Sequence, residues 1–152
     1  MMPLNVSFGI YAFLPMGWLF MAFVILCEAF LMSRYLIGKP LNKKIYLSAT
    51  LANVVSGAVG IITSLALNGG WWLVVWFPWV SKHEVDIHNP QALRALILFY
   101  AAALILSVLI ELLMNHLMLR KRYPFRKTLH ATLIANAFSY VLGAVLIVLL
   151  CR

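Results

Sequence analysis

Four acids occur among 152 residues. Two of them, Glu28 and Glu111, stand inside long apolar runs, where a carboxyl costs free energy unless it finds a partner. They lie 83 residues apart, and other residues recur at that interval: Lys44 with Lys127, Ala52 with Ala135, Asn53 with Asn136, Ser56 with Ser139 and Gly60 with Gly143. Each copy reads Glu, then 24 residues, then Asn-x-x-Ser-x-x-x-Gly. A carboxyl, an amide and a hydroxyl in apolar surroundings can do two kinds of work. They can tie helices together by hydrogen bonds, or hold a proton, a cation or an amine. Both readings stay open at the level of sequence. Ser107, Asn115 and His116 add polarity to the third apolar run and could line one side of a path.

The interval within each copy points to a helical hairpin. Positions 28 and 53 centre on 40.5, between Pro40 and Leu41, and positions 111 and 136 centre on 123.5, between Tyr123 and Pro124. Both midpoints fall in basic, proline-containing stretches that a helix interior would not tolerate. Residues equally far from the turn of an antiparallel pair are level, so Glu28 is predicted opposite Asn53 and Glu111 opposite Asn136. On the second helix of each copy the Asn, the Ser three on and the Gly seven on share a face. Small residues on that face, Ala52, Gly57 and Gly60 in one copy and Ala135 and Gly143 in the other, let helix backbones approach closely in lipid. If the hairpins pack through these faces, the two Glu/Asn/Ser sets converge; if they pack elsewhere, each is a private clamp.

The elements that must position these residues follow from composition. The chain is 64% hydrophobic and 11% charged, with a mean hydropathy of +0.97, a balance that excludes an ordinary water-soluble domain. A helix needs about 20 apolar residues to cross a hydrocarbon core of ~30 Å. Four stretches qualify: Gly9 to Ser33, Ile45 to Leu67, Ala92 to Leu119 and Thr128 to Leu150. The predicted fold class is an all-α membrane protein, with four transmembrane helices as two tandem parallel-repeat hairpins. Residues 1–68 form the first hairpin, 69–91 an external Trp-rich interfacial segment and 92–152 the second hairpin. The first stretch reads as a retained span, since nothing basic precedes it and no small-residue cleavage site follows. Pro15 and Gly17 within it can bend it.

Nine of the twelve basic residues fall in the connections after the first and third stretches: Arg34, Lys39, Lys43, Lys44, Arg120, Lys121, Arg122, Arg126 and Lys127. The positive-inside rule makes that side cytoplasmic and puts both termini outside, in a bacterial inner membrane. Two hairpins inserted in the same sense are related by an approximate two-fold along the membrane normal. Asn53 is nine residues beyond Lys44, about 13 Å along a helix, so the polar level lies within the cytoplasmic leaflet. The net charge of +8 thus reflects topology. It favours anionic lipid headgroups as partners, and no soluble domain is left to bind nucleic acid.

Cys27 and Cys151 sit near opposite faces, too far apart for a disulfide, and no C-x-x-C pair supports redox chemistry. The external segment begins G-G-W-W-L-V-V-W-F-P-W, with Trp71, Trp72, Trp76 and Trp79. Indole rings favour the membrane boundary, and aromatic clusters also dominate protein interfaces, so the segment reads as an interfacial anchor or as a docking surface. His83, Asp86 and His88 offer imidazole and carboxylate donors, yet their spacing fits no established metal site, and no metal or cofactor is expected. Asn89 and Pro90 read as the cap and first residue of the third helix.

In size and charge the chain is similar to the membrane-associated eicosanoid and glutathione metabolism proteins. Their E-R-x-x-x-A-x-x-N-x-x-E signature meets K-K-I-Y-L-S-A-T-L-A-N-V-V-S-G here, which shares an Asn but lacks the arginine and the acids. From Glu28 to Gly60, echoed from Glu111 to Gly143, the chain resembles uncharacterised bacterial four-span proteins with a Glu on the first helix and A-N-x-x-S-x-x-x-G on the second. It distantly resembles the filament-integrity membrane protein of multicellular cyanobacteria, which acts at cell-cell septa. This resemblance implies a structural or complex-forming role. The expectation is a non-enzymatic accessory subunit with a membrane-protein partner or a second copy of itself. The alternatives are a small proton- or cation-coupled transporter or channel and, further off, a glutathione-transferase-like enzyme.

Overall fold

A computed structural model of the chain describes residues 4–66 and 90–150. The segment carrying Trp71, Trp72, Trp76, Trp79, His83, Asp86 and His88 lies outside the described residues, as do Asn89 and Cys151. The regular elements among the described residues are four helices: α1 Leu4–Ile37, α2 Lys43–Ala66, α3 Pro90–Leu119 and α4 Phe125–Leu150. They run past the apolar stretches at several ends, and α1 passes through Pro15 and Gly17 without interruption.

The turns are written into the local sequence. Gly38 ends α1 with φ +70°, a left-handed conformation that costs glycine little, and its N–H bonds the Arg34 carbonyl. The Asn42 side chain opens α2 by accepting from the N–H groups of Lys44 and Ile45, satisfying donors that the first helical turn leaves free. Ser33 Oγ donates to the Lys39 carbonyl at 2.8 Å, holding the loop between them. In the second loop the Pro124 carbonyl accepts from the N–H groups of Lys127 and Thr128.

Each helix packs on the next in chain order, and α4 closes back on α1. This leaves α1 diagonal to α3 and α2 diagonal to α4. The centre is built from small and polar side chains: Ala29, Ala49, Ala52, Ala103, Ala131 and Ala135 are buried together with Ser33, Ser48, Thr128 and Thr132. Met32, Leu36, Ile45 and Leu119 are large apolar side chains buried with them, while many others point outward, among them Phe23, Leu26, Leu51, Val54, Leu98, Ile105, Leu109, Val141 and Val145. A water-soluble bundle has the opposite arrangement, because its large apolar groups gain most from leaving water.

Among the described residues, two helices contain stretches long and apolar enough to cross a membrane, Tyr100–Leu119 in α3 and Phe125–Val145 in α4. Only 22% of the first and 39% of the second is buried inside the protein. The sequence alone predicts four such crossings; two of the four helices meet both criteria in the structure. α1 and α2, at 34 and 24 residues, also exceed the length required.

Candidate functional site

The two glutamates meet at the middle of the bundle. Glu28 on α1 and Glu111 on α3 are 2% and 4% exposed, which removes both from solvent and obliges the protein to supply their partners. Within the first hairpin Asn53 Nδ2 donates to Glu28 Oε2 at 2.7 Å, and within the second Asn136 Nδ2 donates to Glu111 Oε2 at the same distance. Each amide also donates to the carbonyl one turn earlier on its own helix, Asn53 to Ala49 at 3.1 Å and Asn136 to Thr132 at 3.2 Å. That second bond fixes the amide, since a flipped group would set its oxygen against the backbone carbonyl.

The sets also cross between hairpins. Ser139 Oγ on α4 donates to Glu28 Oε1 at 2.6 Å, and Ser56 on α2 stands beside Glu111. The carboxyls of Glu28 and Glu111 lie beside each other, close enough to interact directly. Glu28 and Glu111 stand at the 83-residue interval, so this contact joins equivalent positions of the two copies. A second such pair lies one turn nearer the basic loops, where Asn115 Nδ2 meets Met32 Sδ at 3.8 Å.

Around Asn115 is a layer that the repeat did not anticipate. Its Oδ1 accepts from Ser48 Oγ at 2.7 Å, and its Nδ2 donates to Thr132 Oγ1 at 3.2 Å. In the opposite direction, one turn away from the loops, Ser56 Oγ donates to Ser107 Oγ at 3.2 Å, and Ser107 Oγ shares a 2.9 Å hydrogen bond with the Tyr140 hydroxyl. The Tyr100 hydroxyl donates to the Tyr140 carbonyl at 2.6 Å, and the two rings pack with centroids 5.1 Å apart. Gly143 makes room for this contact, for a Cβ there would stand 2.6 Å from the Tyr100 oxygen. Gly57 is also close-packed, its missing Cβ falling 3.2 Å from the flexible tip of Met21, and Gly60 is buried.

Ser48, Thr132, Tyr100 and Tyr140 have no polar counterparts at the repeat interval. Their signal in sequence is position alone: Thr132 stands four before Asn136, and Tyr140 follows Ser139 directly. Among the described residues, two buried side-chain polar atoms lack a partner, Asn136 Oδ1 and His116 Nδ1. The His116 ring sits edge-on to Phe125, at the loop end of the bundle. Cys27, beside Glu28, carries a free thiol.

The centre of the molecule is therefore a pair of carboxyls served by two amides and two hydroxyls, with further hydroxyls leading away from the basic loops and one amide layer facing them. Such an arrangement can lock four helices in register, and it can bind a proton or cation between the acids. No family model, curated protein or solved structure matches the chain.

Proposed function

We propose that the chain is a four-span protein of the bacterial inner membrane, built as two tandem hairpins, that acts without enzymatic activity as a structural or accessory subunit of a membrane complex. The observation that carries this reading is the double service of Glu28, which accepts from Asn53 of its own hairpin and from Ser139 of the other. A carboxyl held from both sides fixes the depth and register of the two hairpins against each other. Interhelical hydrogen bonds in membranes contribute only about 0.6 kcal/mol on average, so their value lies in selecting one packing. The outward apolar side chains on all four helices support lipid contact around the whole bundle. With the basic loops cytoplasmic and the termini outside, the loops meet anionic headgroups. The Trp-rich segment then lies on the outer face as a contact surface for a membrane protein or a second copy.

A second reading is a small proton- or cation-coupled transporter or channel, and the direct contact of the two carboxyls favours it. Two carboxylates this close and this dry cannot both stay charged without a proton or cation between them. One experiment separates the readings. The full chain and its Glu28→Gln/Glu111→Gln variant are purified from native membranes in mild detergent. An accessory subunit brings fixed-stoichiometry partners in both forms, because glutamine keeps an acceptor at each position. A carrier instead loses uptake in the variant at normal abundance. A lone, monomeric protein in both preparations would sink the accessory reading.

A further inference from the structure

We infer that the Glu28–Glu111 pair is a binding site for a single exchangeable proton, which it trades with the side of the bundle opposite the basic loops through Ser56, Ser107 and Tyr140. The inference rests on the four-span reading but not on the choice between accessory subunit and carrier.

Asn53 and Asn136 each give one amide hydrogen to a carboxyl and the other to a backbone carbonyl. Ser139 and Ser56 face the remaining carboxyl oxygens. The contact between the two carboxyls needs a hydrogen that no neighbouring side chain supplies, since both partners there are acceptors when ionised. One proton bound by the pair completes it. A second observation, independent of the acids, points the same way. Asn136 is 1% exposed, and its amide nitrogen touches Glu111, yet its Oδ1 has no donor. The cage has more acceptors than hydrogens, and a buried amide oxygen without a donor carries the full cost of its lost hydration. A proton carrier is the ligand that this imbalance calls for.

The route follows from which side chains can pass a proton on. A hydroxyl both accepts and donates. In the donor sense the structure shows, the pair gives a proton to Ser56, Ser56 gives its own to Ser107, Ser107 gives one to Tyr140, and Tyr140 gives one to the far side. Each hydroxyl ends with the one hydrogen it began with, and one proton has moved outward from the pair; reloading retraces the same string. The distances along the string, 3.2 Å between the serines and 2.9 Å from Ser107 to Tyr140, are hydrogen-bond distances. Toward the basic loops the chain of hydroxyls is interrupted. The Asn115 amide separates Ser48 from Thr132, and Met32, Leu119, Ala49 and Ala131 form an apolar cluster there. Among the described side chains, the titratable groups near the pair are Tyr140 on α4 and Cys27 on α1; α2 and α3 face it with the neutral Asn53, Ser56 and Ser107.

The test uses the full chain reconstituted in one orientation in vesicles of phosphatidylethanolamine and phosphatidylglycerol. The infrared band of protonated carboxyl, assigned by its loss in Glu28→Gln/Glu111→Gln, is followed after a pH step applied to one side. We expect one protonated carboxyl per chain, responding to the step on the side opposite the basic loops. Tyr140→Phe and Ser107→Ala should each slow the response on the order of a hundredfold, as when a positioned proton-transferring group is removed, whereas Asn115→Leu should leave its rate unchanged. A band that follows the pH of the basic-loop side overturns the inference, as does wild-type exchange in both relay variants or the absence of a protonated carboxyl. Labelling with an impermeant thiol reagent at Lys39→Cys and Lys121→Cys reads the topology separately. If the two loops label from opposite faces, the four-span reading itself fails, whatever the exchange rates.

Discussion

In the first half of the chain Met32 shares an apolar cluster with Ala49 and Ala131; at the equivalent place in the second half Asn115 is bonded to Ser48 and Thr132. One turn farther from the loops the halves agree, with Glu28 on Asn53 and Glu111 on Asn136, both at 2.7 Å. The difference is set by partners. Glu28 draws a donor from each hairpin and Glu111 has Asn136 as donor with Ser56 of the other hairpin beside it, so both copies of the Glu layer are served by polar groups. The layer below has hydroxyls on one side of the axis only, enough for a single amide. An Asn in place of Met32 would face alanines and strand its own polar atoms. The asymmetry also tells the hairpins apart. Two copies of the second hairpin from different chains would bring Asn115 to Asn115 with Ala131 where Ser48 now stands. Polar groups that are satisfied in only one pairing are a known means of fixing register and partner.

The largest expected effect comes from breaking the layer that the halves share. Glu28→Leu/Glu111→Leu strands two buried amides and two hydroxyls, and at about 1–3 kcal/mol for each unsatisfied group the loss should reach about 3 kcal/mol or more. Reversible unfolding of the purified protein in mixed micelles measures it. The Gln/Gln variant should fall within about 1 kcal/mol of wild type, on the scale of interhelical bonds in membranes. A leucine pair as stable as the parent would remove the clamp from consideration. Next in size is Gly143→Ala, whose new methyl would meet the Tyr100 oxygen at 2.6 Å; overpacking of this kind costs about 2 kcal/mol. Adding Tyr100→Phe removes the atom in conflict and should recover more than half of that loss. The repeat places Gly17 where Tyr100 would stand for the first half, so Gly60→Ala should be the milder change.

Arithmetic about a turn made part of this legible. Because 28 and 53 are equidistant from the loop at Pro40, the level of Glu28 with Asn53 could be read without coordinates, and likewise Glu111 with Asn136. Whether the two sets meet could not be read, for it depends on which faces of the hairpins pack, and small residues occur on more than one face. The layer of Ser48, Asn115 and Thr132 was hidden for a related reason. Its members come from three helices, and serine and threonine in an apolar helix commonly bond their own backbone, as Thr50 does to the Tyr46 carbonyl. Nothing in the sequence marks Tyr140, which has no polar counterpart at the repeat interval. Only the position of its hydroxyl, against Ser107, makes it part of the polar centre.

The smallest effects lie in the layer where the halves differ, and there the contrast matters more than the size. Asn115→Leu takes the partner from Ser48 Oγ and Thr132 Oγ1, both of which can fall back on backbone carbonyls of their own helices. The cost should therefore stay near the low end for a lost buried partner, about 1–2 kcal/mol. Met32→Leu, a swap of similar volume among apolar neighbours, should cost less than about 1 kcal/mol; its one polar contact, 3.8 Å from the Asn115 amide to sulfur, is weak. Exchanging the two residues, Met32→Asn with Asn115→Met, keeps composition and volume but puts the amide against Ala49 and Ala131. If partners decide which half carries the amide, the exchange should be worse than Asn115→Leu alone. Adding Ala49→Thr with Ala131→Ser, the residues of the opposite half, should recover part of the loss. Equal stability of the exchanged and native proteins in the same micelles would mean that the axis accepts an amide from either side and that Asn115 is there by descent alone.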